Sequence, residues 1–140
     1  MKLSILAVLV LAVSSFTAHA SIHEAKAAQA KAQAGETFYK MGLLTKSFSE
    51  KGKKGGTATR DYMANELTTA FDDIIVSGLG KGATCEEITG FVTDDVMPSF
   101  KKKMIDGQDI PSPELMSKLG DKLTSSLITY TAERCAFLTE

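Results

Sequence analysis

Apolar residues recur every three or four positions along most of this chain, and that spacing constrains the fold more than any other feature. It places apolar side chains on one face of a helix, whereas a half-buried strand would alternate apolar and polar residues. Two stripes are clearest, and each is a candidate for core packing or for partner binding: Met63, Leu67, Phe71 and Ile74, and then Leu119, Leu123 and Leu127. The pattern predicts an all-α fold, a small single-domain helical bundle of about four to five helices.

The first 20 residues have the composition of a cleavable signal peptide. Lys2 supplies a positive charge, an apolar run covers residues 3–13, and Ala18-His19-Ala20 matches a small-x-small cleavage site. The apolar run is short for a bilayer span, so an uncleaved anchor is the alternative interpretation. We expect cleavage after Ala20 and export to the periplasm, with the extracellular space as the alternative destination.

Length and charge limit what the exported chain does. Removing 20 of the 140 residues leaves 120, which suits one domain. The chain has 16 basic and 17 acidic residues, and without Lys2 the balance is 15 against 17, a net charge near −2. This balance argues against a nucleic-acid partner. No long apolar segment follows residue 20, so we expect no membrane span after signal removal.

The N-terminal part of the exported chain has two segments with little apolar content. Residues 21–35 are rich in Ala with Lys, Gln and Glu, which favours a helix but offers little to bury, so a frayed helix or mobile tail is expected. Residues 36–140 form the helical domain. Within it, residues 51–58 hold three glycines and three lysines, which predicts a surface loop. The loop lacks the Gly-Lys-Ser/Thr ending of a phosphate-binding P-loop.

Two amphipathic helices flank that loop. The first covers residues 36–50 and ends by Gly52, with an apolar stripe of Phe38, Met41, Leu44 and Phe48. The second carries the first of the two stripes named above and ends at Gly78 or Gly80. We expect this second helix to supply the centre of the core.

Capping signals mark the later helices. Thr84 and Glu87 form a capping-box pattern that starts a helix. Pro98 predicts a break near residues 94–97, followed by a short helix that carries Phe100 and Met104 and stops at Gly107. Ser112 before Pro113 reads as the N-cap of the last helix. The apolar face of that helix comprises Leu115, Leu119, Leu123, Leu127 and Tyr130.

The two cysteines, Cys85 and Cys135, both follow the signal. Export brings them to an oxidising compartment, where an even pair normally closes into a disulfide. Their separation is 135 − 85 = 50 residues, and the chain-entropy model credits such a loop with roughly 4 kcal/mol. Two free thiols and a disulfide between chains are the alternatives. The predicted bridge would join the start of one helix to the end of the last.

Residues for catalysis are scarce after the signal. His23 is the single histidine of residues 21–140, which leaves no Ser-His-Asp, Cys-His or zinc arrangement in the core. Adjacent acidic residues on a helix point about 100° apart, so the acidic pairs suit solvated helix faces better than a glycoside-hydrolase site: Asp72/Asp73, Glu86/Glu87 and Asp94/Asp95. We expect no enzymatic activity, no cofactor and no metal.

The second half of the chain resembles a family of periplasmic acid-stress chaperones, HdeA and HdeB. The resemblance covers residues 84–136: Thr84-Cys85-Glu86-Glu87-Ile88, then Pro98 and the second cysteine on a later helix. Those proteins are small, exported and helical, with one disulfide and a similar Thr-Cys-Glu-Asp-Phe start. This chain differs in the long segment 21–84 before Cys85 and in lacking a charged tail after the second cysteine.

The resemblance implies a non-enzymatic chaperone. In such proteins acid neutralises carboxylates, a native dimer loosens, and apolar surface opens to hold unfolding client proteins while the disulfide limits expansion. A different hypothesis is a periplasmic immunity or inhibitor protein that binds and neutralises a toxic effector enzyme. A small secreted enzyme or a structural subunit of an envelope machine is the third. In the first two cases the partner is another protein, and both a homodimer and a monomer are compatible with the sequence.

Overall fold

Helix α1 spans Lys2–Leu43 in the computed structural model and is the longest element of the chain. The structure describes residues 2–44, 56–106 and 112–140, with side chains from residue 22 in the first segment and from residue 59 in the second. The remaining elements are α2 (Gly56–Gly80), α3 (Cys85–Phe91), a π-helical turn (Val92–Val96), α4 (Met97–Ile105) and α5 (Pro113–Leu138). The all-α bundle is therefore confirmed, with five α-helices in the described segments.

The core lies where α1, α2 and α5 meet, and α3, the π turn and α4 cover it from one side. The most extensive helix contact is between α1 and α5, followed by α1 with α2. Helix α2 contributes buried Leu67 and Phe71 to this core, and that it supplies the centre of the core stays a prediction. Large buried side chains come from α1, α2, the π turn, α4 and α5: Met41, Phe71, Ile75, Val92, Met97, Leu123, Leu127 and Tyr130.

The Ala-rich segment contributes directly to this core. Ala27, Ala30 and Ala34 are buried on one face of α1. Their spacing of three and four residues forms a smooth stripe, and small side chains allow two helix backbones to approach closely. The expectation that residues 21–35 offer little to bury is wrong, because close backbone approach buries surface even without large side chains. Fraying of this segment in solution stays a prediction.

Gly35 lies inside α1 rather than at a helix boundary. A β-carbon at Gly35 would come within 2.6 Å of Ala64 Cβ and 2.8 Å of the Arg60 carbonyl oxygen, so α1 and α2 cross at this point. The helix predicted for residues 36–50 is instead the end of α1, which stops at Leu43. Phe48 lies outside the described residues.

The loop predicted for residues 51–58 is shorter at its C-terminal end, because α2 begins at Gly56. Residues 51–55 lie outside the described segments. The predicted end of α2 at Gly80 is confirmed. Gly82 follows with a φ of +85°, a left-handed conformation that glycine adopts without strain, and the next N–H returns to the Gly78 carbonyl.

The capping box at the start of α3 is present as predicted. The Thr84 hydroxyl accepts from the Glu87 N–H at 3.1 Å, and the Glu87 carboxylate accepts from the Thr84 N–H at 3.4 Å. The predicted disulfide is confirmed as well: Cys85 and Cys135 are bonded, with their Cα atoms 5.7 Å apart. It links the first turn of α3 to the last turns of α5, beside Ile75 and Ile88.

The predicted break near residues 94–97 is wrong. The chain stays helical through the π turn, where the Met97 N–H bonds to the Val92 carbonyl five residues back. Pro98 has no N–H to give and occupies the first turn of α4, where that donor is not needed. A π turn holds one residue more than an α-helical turn. This extra residue rotates α4 relative to α3, so Val92 and Met97 both face the core.

Helix α4 ends at Ile105, and Gly107, its predicted stop, lies outside the described residues. Ser112 occupies the N-cap position of α5, but its side chain makes no capping hydrogen bond. Leu115 is 45% exposed, whereas its neighbour Met116 is buried. The stripe predicted to begin at Leu115 therefore begins one residue later. Across the described segments, no helix combines the length and apolarity that a membrane span requires.

Candidate protein-binding groove

An apolar groove runs along α2 on the side away from α5. Its first part has a volume of about 300 Å³ and lies between α2, the end of α1, the π turn and α4. Its lining is apolar except for one carboxylate: Phe38, Glu66, Leu67, Ala70, Phe71, Ile74, Val96 and Phe100. Phe38 and Phe100 stand across it with ring centroids 6.5 Å apart. We call this part the aromatic end of the groove.

A wider cleft adjoins the aromatic end and shares Ile74 with it. This second part has a volume of about 610 Å³ and lies between the last turns of α2 and α3. It is lined by Asp73, Ile74, Ser77, Gly78, Lys81, Ala83, Glu87, Ile88 and Phe91. We call it the polar end. A β-carbon at Gly78 would lie 2.7 Å from Ile88 Cγ1, so a larger residue there would push Ile88 into the space of the cleft.

Charge along the groove is mainly negative. Glu66 belongs to the aromatic end, and Asp73 and Glu87 belong to the polar end, where Lys81 is the one lining cation among the described residues. Phe91, also in the lining, is 49% exposed. Ala70 is exposed too, whereas Leu67 and Phe71 lie buried at the base of the groove. An apolar cleft with a few charged groups at its edges is the usual composition of a binding site.

A polar network joins α2 to α5 on the opposite side of α2. The Tyr130 hydroxyl donates to Asp72 Oδ1 at 2.6 Å, and Arg134 Nε lies 3.7 Å from the same oxygen. Burial and the neighbouring Asp72 carboxylate raise the pKa of Tyr130 above its usual range. Because the phenol stays protonated, its hydroxyl donates a hydrogen bond to the Asp72 carboxylate from inside the bundle.

Two further side-chain contacts join α5 to α1 and to α4. The His23 Nδ1 lies 2.6 Å from Glu133 Oε2, and its Nε2 lies 3.4 Å from Glu140 Oε1. Lys101 of α4 bonds to Asp121. Together with the Asp72 network, these contacts place a carboxylate at a junction of α5 with each of α1, α2 and α4.

The structure places the two apolar stripes predicted from the sequence in different surroundings. Leu67, Phe71 and Ile74 form the floor of the groove, whereas Met63 is buried in the core outside its lining. Leu123 and Leu127 of α5 are fully buried, and Leu119 packs against the same cluster. The α5 stripe is therefore core, and the α2 stripe is buried at Leu67 and Phe71, with Ile74 half-buried where the groove opens.

The sequence analysis did not bring the walls of the groove together. Phe38 and Phe100 were placed on the stripes of separate helices, yet both line the groove, together with Phe91. The sequence did hold a signal for the π turn: the apolar residues Val92 and Met97 are five positions apart, which is the spacing of a π-helical hydrogen bond. That turn faces Val96 and Phe100 toward α2.

The acidic pairs divide between different surroundings. Asp72 accepts from Tyr130, whereas Asp73 lines the groove. Glu87 caps α3, and Glu86 lies with Asp94 at a shallow depression that Ala132 of α5 also lines. Among the residues described, no group of three His, Cys, Asp or Glu side chains is arranged to hold a metal ion.

Comparison with known proteins gives no relative. The chain matches no protein-family model, and neither curated proteins nor solved structures show a significant similarity to it.

Proposed function

We propose that this chain is an exported, non-enzymatic protein-binding protein of the periplasm that acts in the manner of the HdeA-like acid-stress chaperones. The observation that carries the proposal is the groove along α2. Its lining is apolar, with Ala70 and Phe91 exposed to solvent and Leu67 and Phe71 buried at its base. A cleft lined by apolar residues with a few charged groups is the usual composition of a binding site.

Acid sensitivity in this proposal rests on the ion pairs of α5. Glu133, Asp121 and Asp72 each contact a basic side chain on another helix, namely His23, Lys101 and Arg134. Strong acid neutralises carboxylates in proteins generally, and an ion pair whose carboxylate is neutral loses its charge–charge attraction. Each exposed pair stabilises by only about 0–1 kcal/mol, so loosening requires several junctions to act together. The disulfide keeps α3 attached to α5 while the other helices separate, which widens the groove without full unfolding.

The decisive experiment follows the oxidised protein, residues 21–140, from pH 7 to pH 2. Near-ultraviolet circular dichroism reports tertiary packing, binding of a hydrophobic dye reports apolar surface, and light scattering reports the aggregation of an acid-denatured client protein. We expect a reversible loss of the dichroism signal, a rise in dye fluorescence and suppressed client aggregation. Unchanged tertiary structure at pH 2 together with unhindered client aggregation would overturn the chaperone proposal.

One observation favours the alternative, an immunity or inhibitor protein that neutralises a toxic effector enzyme. The groove is already open in the folded chain, so binding needs no acid step. A stable one-to-one complex with a secreted enzyme at pH 7, with that enzyme inhibited, would favour this function. Loss of the complex on replacing Ala70 by Trp would assign it to the groove.

A further inference from the structure

We propose that the occupant of the groove is a cationic amphipathic helix of a partner protein. This inference rests on the proposed protein-binding function and names the chemistry of the segment that is bound.

The groove is long enough for several turns of helix. Its lining extends from Glu66 on α2 to Lys81, one residue past the end of α2, which is about 22 Å at 1.5 Å per residue. A bound helix of the same length has about 15 residues and four turns. Such a helix presents an apolar stripe of similar length, matching a floor formed by Leu67, Ala70 and Ile74.

The walls favour a helix over an extended segment. The groove is bounded by α2 on one side and by the end of α1, α3, the π turn and α4 on the others. Backbone N–H and C=O groups inside helices are already paired, so they offer no free edge to which an extended strand could bond. An amphipathic helix gains its affinity from side-chain packing alone, which these walls provide.

The charges select a basic occupant. Glu66, Asp73 and Glu87 provide three carboxylates against the single ammonium of Lys81. A helix that lays an apolar stripe on the floor directs its flanking residues toward these borders. Lys or Arg at those flanks meets opposite charge, whereas Glu or Asp meets like charge, and like-charge contact at an interface is a strong barrier to binding.

The first test compares peptides at pH 7. The probes are fluorescein-labelled 14-residue helices, Leu-Lys-Lys-Leu-Leu-Lys-Leu repeated twice and the same sequence with Glu in place of every Lys, measured by fluorescence anisotropy. We expect the Lys peptide to bind at least roughly tenfold more tightly in 50 mM salt, with the difference shrinking in 500 mM salt because screening weakens exposed pairs. Equal affinities would overturn the charge inference and leave protein binding by the groove intact.

The second test separates local charge from net charge. The double variant Glu66→Gln/Asp73→Asn removes two groove carboxylates, and Asp61→Asn/Glu114→Gln removes two exposed carboxylates outside the groove lining. We expect the groove variant to bind the Lys peptide about five- to tenfold more weakly, as two exposed pairs suggest. The control variant should stay within about twofold. An equal loss in both would mean that only overall charge attracts the peptide, and would overturn the inference.

A third variant tests the floor. Ala70→Trp fills the aromatic end, and Ala28→Trp places the same side chain at an exposed position of α1. Thermal unfolding confirms that each variant is folded. We expect Ala70→Trp alone to abolish peptide binding; unchanged binding would place the peptide elsewhere and overturn the inference. If the folded protein bound neither peptide, the inference of a helical occupant would be overturned too. The chaperone proposal is tested separately, by the suppression of client aggregation at acid pH.

Discussion

The two sides of helix α2 differ in how they are packed. Toward α1, a small residue brings the two backbones together, with Gly35 against Ala64. Toward α3 and α4, large side chains such as Phe38 and Phe100 hold the helices apart and leave the groove. We call these the close-packed side and the groove side. The difference shows that small residues allow two helices to pack closely, whereas large aromatic residues keep helices apart and leave a groove that a partner can occupy.

The largest expected effect comes from removing the disulfide, which joins the groove side to α5. The chain-entropy model predicts that Cys85→Ala/Cys135→Ala loses about 4 kcal/mol of unfolding free energy for its separation of 50 residues. Chemical denaturation at pH 7 measures this loss. Hydrogen exchange should show α3 amides losing protection well before those of α1, because the alanine stripe of α1 does not depend on the bridge. An equal loss of protection in both helices would remove the distinction between the two sides.

The next effect tests the close-packed side with one substitution at two glycines. Gly35→Ala forces a β-carbon against the Arg60 carbonyl, and overpacking of this kind costs about 1–3 kcal/mol. Gly90→Ala meets open space in α3 and should stabilise the protein by roughly 0.5–1 kcal/mol, because alanine restricts the unfolded chain more than glycine does. Thermal unfolding of the two variants should shift in opposite directions. A gain in stability from Gly35→Ala would mean that α1 and α2 are not in close contact.

Much of the framework follows from local sequence patterns. The capping box of Thr84 and Glu87, the end of α2 at Gly80 and the cysteine pair each depend on a few residues and were all predicted. The all-α class follows from apolar spacing. These features are set by nearby residues, so a local pattern is sufficient to predict them.

The features that required tertiary context were missed. Alanine has little surface of its own, so the burial of Ala27, Ala30 and Ala34 depends on how closely α5 approaches, which composition does not reveal. Pro98 suggested a break, but a π turn upstream lets the helix continue. The groove depends on that turn and on helices remote in sequence. Its apolar floor was visible in the α2 stripe, whereas its aromatic walls were not.

The smallest effect concerns the polar network on the α2–α5 contact. Tyr130→Phe removes the hydrogen bond to Asp72 and should cost about 1 kcal/mol at pH 7. Tyr62→Phe is the matched control, because Tyr62 is 64% exposed, and should change stability by less than about 0.5 kcal/mol. Equal effects of the two substitutions would show that the Asp72 bond adds nothing to the packing of α2 on α5.

The same pair of variants has an expected pH dependence. The folded-state pKa of Tyr130 is raised, mainly by burial and then by Asp72, whereas tyrosine in an unfolded chain titrates near pH 10. The stabilisation from the neutral phenol is therefore fully present below about pH 10 and is lost as pH rises toward the folded-state pKa. Denaturation between pH 8 and pH 11 should show the advantage of the wild type over Tyr130→Phe shrinking, while its difference from Tyr62→Phe stays nearly constant. A constant advantage over Tyr130→Phe would mean that this phenol ionises as freely in the folded chain as in the unfolded one.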